Sequence, residues 1–94
     1  MDLDLFRSVA DQMMTQPEVD IAGKKSKVTR TSAMRLRTIR FEAEGRNYQA
    51  IEQNPEKPSR WGQMAREGHK VVQFRDADSG KYVAVAVDGK VRGY

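Results

Sequence analysis

Leu3, Phe6, Val9, Ala10, Met13 and Met14 recur at three- and four-residue steps. That is the period of a helix with one apolar stripe. Asp2 can cap its first turn, Asp4 lies near the positive end of the helix dipole, and Pro17 stops the pattern. A helix over residues 2–14 is too short to persist alone, so its stripe must dock. The expected berth is this chain's own sheet; the alternative is a dimer or partner contact.

The pattern then changes period. In "MRLRTIRFEAEGRNYQAIEQ", Met34 and Leu36 have one parity, and Ile39, Phe41 and Ala43 the other. A strand that keeps all five on one face needs a β-bulge, placed here near Arg37–Thr38; Arg35, Arg37 and Arg40 then share the opposite face. "EGRN" predicts a hairpin with Gly45 first in a two-residue turn, which sets Ala43 opposite Tyr48 and Phe41 opposite Ala50.

Ser59 is suited to cap a short helix with Trp61, Met64 and Ala65 turned inward, ended by Gly68. Trp61 is expected to be a core anchor. "HKVVQFRDADSGKYVAVAVDGKV" carries two further turns, Ala77–Gly80 and Asp88–Gly89. The first sets Phe74 opposite Val83 and Val72 opposite Val85, and the second returns Val91 beside Ala86. "YVAVAV" is apolar at both parities, as in a strand covered on both faces.

These elements predict an α+β fold: an antiparallel sheet of four to five strands built from hairpins, an N-terminal amphipathic helix, and a short helix between the hairpins. The organisation expected is a single domain, 1–94, with helix 1–14, a weakly specified connector 15–33 and a core over 34–94. "EVDI" and "SKVTRT" within the connector each have strand character. With a strand there, the element order also suits an OB-like small barrel.

Composition agrees with a strand-rich fold. Val and Ala occur nine times each and Leu three times in 94 residues, and Val fits a pleated surface better than a helix. The chain has no Cys, which excludes disulfides and thiolate metal sites. "MDLDLF" is acidic where a signal peptide is basic, and no apolar run is long enough to span a membrane. The expectation is a soluble cytoplasmic protein, monomeric or weakly dimeric.

Charge changes the picture more. The formal net charge is +4, but residues 1–20 hold five acids against Arg7 alone. Residues 21–41 hold Lys24, Lys25, Lys27, Arg30, Arg35, Arg37 and Arg40 with no acid. Either the acidic start folds back on this basic stretch, or the stretch faces an external anion. The seven bases are the candidate nucleic-acid or anion-binding set. Against that, Glu42 and Glu44 extend the same strand face, and no aromatic residue interleaves with the bases.

Candidate catalytic chemistry is sparse. His69 is the only His, with no second His or Cys to share a transition metal. "DADSG" lacks the downstream Glu of a calcium loop, and "GKK" lacks P-loop spacing. No catalytic residue, metal or cofactor is expected. The function expected is a non-catalytic protein-interaction or structural role, with nucleic-acid binding through residues 24–40 as the alternative.

Overall fold

The computed structural model describes residues 1–94. Helix α1 (Leu3–Thr15) is followed by β1 (Glu18–Ile21), β2 (Lys24–Lys27), β3 (Thr29–Arg30), β4 (Arg37–Ala43) and β5 (Arg46–Glu52). Then come α2 (Arg60–Arg66), β6 (Val71–Asp76), β7 (Tyr82–Val87) and β8 (Lys90–Gly93). Strands β3 to β8 form one antiparallel sheet in sequence order, and β1–β2 form a separate two-stranded ribbon. The fold is α+β, as the pattern predicts. The sheet has six strands instead of four or five, because the connector 15–33 adds β3 to its edge; the connector's other two strands, β1 and β2, pair only with each other. The sheet is open, so the barrel alternative fails.

The Asp2 carboxylate accepts from the Leu5 amide and starts α1. Phe6, Val9, Ala10 and Met13 are the buried stripe, while Leu3 is 40% exposed. Phe6 is the keystone: its ring stacks on Phe74 at 4.5 Å and meets Tyr48 and Phe41 edge-on at 5.0 and 5.7 Å. Aromatic pairs in these geometries add to the stabilisation from area burial. The helix therefore docks on its own sheet.

Three two-residue turns close hairpins in the same way. Ala22–Gly23, Glu44–Gly45 and Asp88–Gly89 all have positive φ at both residues, 50–53° at the first and 74–82° at the glycine. That is the type I′ signature, whose twist matches paired strands. At Glu44–Gly45 it corrects the expected register, in which Gly45 came first. Glycine takes the second central position, so Phe41 pairs with Tyr48 and Ile39 with Ala50. The two-residue slide leaves every side chain on its expected face.

The bulge also moves. Pairing through β4 is regular from Thr38 onward, and Met34 and Leu36 lie in the turn before the strand, where Arg35 has φ +56°. A turn has no parity to keep, so no bulge is needed at Arg37–Thr38. The irregularity lies in the β6–β7 ladder: Arg75 pairs with Tyr82, but Phe74 pairs with Ala84 and Val72 with Ala86, leaving Val83 as the extra residue. Ala84 and Ala86 thus belong to the core under α1, and Val85 is buried on the other face. The Asp88–Gly89 turn sets Ala86 opposite Val91 as expected.

Helix α2 begins at Ser59, whose hydroxyl accepts from the Gly62 amide. Trp61 is half-buried instead of anchored in the core, its ring lying between the guanidinium carbons of Arg60 (5.1 Å) and Arg92 (5.5 Å). No helix is long and apolar enough to cross a membrane.

Candidate functional site

Strand alternation sends Ile39, Phe41, Tyr48, Ala50, Phe74 and Ala84 to the α1 side. It leaves Thr38, Arg40 and Glu42 on β4, Gln49 on β5, and Gln73 and Arg75 on β6 on the opposite face. This second face is polar and ordered by side-chain hydrogen bonds. Gln49 donates to the Thr38 hydroxyl at 3.1 Å and accepts from Arg75 Nε at 2.8 Å. A second chain runs beside it: Gln73 donates to Gln53 at 2.9 Å and accepts from the Tyr94 hydroxyl. Gln53 and Gln73 are only 9% exposed. Buried amides are costly unless paired, and each amide here spends its oxygen as acceptor and its nitrogen as donor. No buried side-chain nitrogen or oxygen lacks a partner.

The Tyr94 hydroxyl is pushed above its ordinary pKa of 10.0, chiefly by desolvation, with its bond to Gln73 opposing the shift. Tyr94 and Arg92 carry the polar face to the rim of the sheet beside Trp61. Tyr82, 53% exposed, pairs with Arg75 across the ladder.

The seven bases of residues 24–40 do not form one row: Lys24 and Arg40 line one groove, and Arg30 faces Arg37 across the β3–β4 ladder. Lys25 and Lys27 sit opposite Asp20 and Glu18 in the β1–β2 ribbon. Opposite charges at such positions attract across a ladder. Lys24 lines the groove with Ile21, Ala22, Ser26 and, across from them, Arg40 and Glu42. Arg30 Nη1 donates to the Arg35 carbonyl at 2.8 Å, within the turn that leads to β4. Arg37 shares the core-side face and donates to the Met14 carbonyl at 2.7 Å. That corrects the expected row of Arg35, Arg37 and Arg40, which rested on the misplaced bulge. Arg40 alone of the seven reaches the polar sheet face. The acidic N-terminal segment forms no ion pair with any of them; its Asp11 pairs with Arg7.

His69 Nδ1 lies 2.6 Å from Asp88 Oδ2, and Asp88 Oδ1 accepts from the Lys70 amide at 2.9 Å. The Lys70 amide first, then His69, hold the Asp88 carboxyl below its ordinary value. Asp76 is held down likewise by the Ser79 and Asp78 amides, in an Asx-type turn of the β6–β7 loop. Both carboxylates serve turns. No three His, Cys, Asp or Glu side chains come together in a set able to hold a metal ion.

The sequence reading missed the glutamine chains. Gln49 and Gln73 carried a usable signal: each is a polar residue flanked by apolar neighbours in a period-two strand, so each had to point away from the core. Comparison with protein-family models, curated proteins and solved structures finds no match to this chain.

Proposed function

We propose that the domain is a non-catalytic protein-interaction module and that the polar sheet face is its contact surface. The carrying observation is the Thr38–Gln49–Arg75 chain, a row of donors and acceptors held in place on a face that α1 does not cover. Groups already fixed by neighbours lose little side-chain entropy on binding. Arg40 and Arg75 stand against Glu42 on this face, so the favoured partner is a polar protein surface of acidic character. A cytoplasmic setting fits a chain without cysteine.

The nucleic-acid alternative needs the basic stretch to act as one surface; its seven residues divide between the β1–β2 ribbon, the turn before β4 and both faces of β4, which speaks for the protein reading. A photo-crosslinking side chain at Asn47, with the same probe at Gln63 on α2 as control, tests the choice. The expected adduct forms at position 47 only, is destroyed by protease and not by nuclease, and disappears in the Gln49→Ala/Arg75→Ala variant. A nuclease-sensitive adduct with steep salt dependence would reverse the assignment.

A further inference from the structure

Strand β4 has an open outer edge. On that side β3 covers only Arg37 and Thr38, and nothing pairs with Ile39 through Ala43. The two-residue turn after β4 makes Ala43 and Arg46 a hydrogen-bonded pair. Alternation then turns the backbone groups of Phe41 and Ile39 toward β5, and those of Arg40 and Glu42 outward. The side chains of Arg40 and Glu42 are exposed, lie on one face, and belong to no ion pair. Ribbon β1–β2 does not close this edge; an open groove of about 580 Å³ runs between its Ile21–Ser26 segment and Arg40–Glu42.

We propose that this edge pairs with the β4 edge of a second copy of the chain, antiparallel, about a two-fold axis passing at Phe41. The charges select the occupant and the register. In that alignment Arg40 faces Glu42 of the other copy and Glu42 faces its Arg40, so two opposite-charge pairs form directly across the ladder. The same two residues exchange the backbone hydrogen bonds that they now turn outward. Sliding the axis to Arg40 or to Glu42 keeps the hydrogen-bonding parity but sets Arg against Arg or Glu against Glu. The edge is thus self-complementary in one alignment and self-repelling in its two neighbours. The pairing joins the two sheets into one and places both polar faces side by side. It goes beyond the interaction reading above and does not depend on it.

The contact is short, so the dimer lies at the weak end of protein interfaces. Sedimentation from roughly 10 μM to 1 mM covers the range where such contacts dissociate. The expected result is concentration-dependent dimerisation of the wild-type chain, weakened about tenfold or more by Arg40→Glu or Glu42→Arg alone, each of which sets like charges across the axis twice. An equimolar mixture of the two variants should form a heterodimer, because one copy then presents carboxylates at both positions and the other presents guanidinium groups at both. The double variant Arg40→Glu/Glu42→Arg should dimerise like wild type, which separates loss of pairing from loss of folding. A wild-type chain that stays monomeric near 1 mM, a dimer indifferent to both single changes, or a mixture that fails to associate would each overturn the proposal.

Discussion

Arg37 Nη1 donates to the carbonyl oxygen of Met14 at 2.7 Å, tying β4 to the last turn of α1. The last turn of α1 carries no basic residue of its own. Helix ends leave carbonyls unpaired and accumulate partial negative charge, which a cation there offsets. A strand 23 residues away in sequence supplies that cation.

The first prediction follows from this contact. Arg37→Met should destabilise the domain by about 1–2 kcal/mol in urea denaturation. Arg40→Met, on the exposed face, should stay within about 0.5 kcal/mol. Equal effects would mean that the Arg37 contact contributes no more than an ordinary surface charge.

Phe6 carries the docking of α1. Phe6→Ala should cost roughly 3–5 kcal/mol, the usual range for a buried aromatic, and on a small domain that loss unfolds much of the population. Leu3→Ala, at a 40% exposed position, should change stability by under about 0.5 kcal/mol. A folded, undiminished Phe6→Ala protein would show that the helix is an accessory to the sheet.

Gly62 reverses an expectation from propensity. Alanine in a helix interior normally gains about 1 kcal/mol over glycine. Here an added Cβ would fall 2.1 Å from the Lys57 carbonyl oxygen, so the loop before α2 would have to move. Gly62→Ala should therefore lose about 1–3 kcal/mol, as overpacked sites do. A higher melting temperature would show that the loop yields freely.

How much of this was readable beforehand depends on the range of the cause. Asp2, Ser59 and the Asp88–Gly89 turn act within four residues, and the sequence located each of them. The register after Ala43 was ambiguous because sliding by two keeps Phe41 and Tyr48 on the core face in either case. Arg37 was misread because its partner, Met14, is remote in sequence and the turn at Arg35 released the parity constraint. Trp61 had the composition of an anchor, but only the fold shows it lying between two guanidinium groups at the rim. The Thr38–Gln49–Arg75 chain joins β4, β5 and β6, and the local pattern that turns Gln49 and Gln73 away from the core does not report which neighbours they meet.

Acid should weaken the domain through Asp88. Its folded pKa is depressed by the Lys70 amide and His69, so its stabilisation is complete above the ordinary value of 3.8 and is lost as pH falls through the lower folded value. Asp88→Asn keeps the left-handed turn, which asparagine tolerates, and removes the charge. The variant should melt below wild type at neutral pH and lose less on acidification below 3.8. Parallel pH–melting curves for the two proteins would exclude this role for Asp88.

Neighbour-to-neighbour pairing from β3 to β8 shapes how the chain reaches this state. Each strand meets the one just before it, so the sheet can grow outward from any of its hairpins without a long search. Hairpins of this kind close in about 1–10 μs. Helix α1 instead touches the first and the last strands of the chain and has a surface to land on only once most of the sheet exists. Folding should therefore be sheet first, helix last. In stopped-flow kinetics Phe6→Ala should hasten unfolding far more than it slows refolding, because a contact missing from the transition state affects only the return journey.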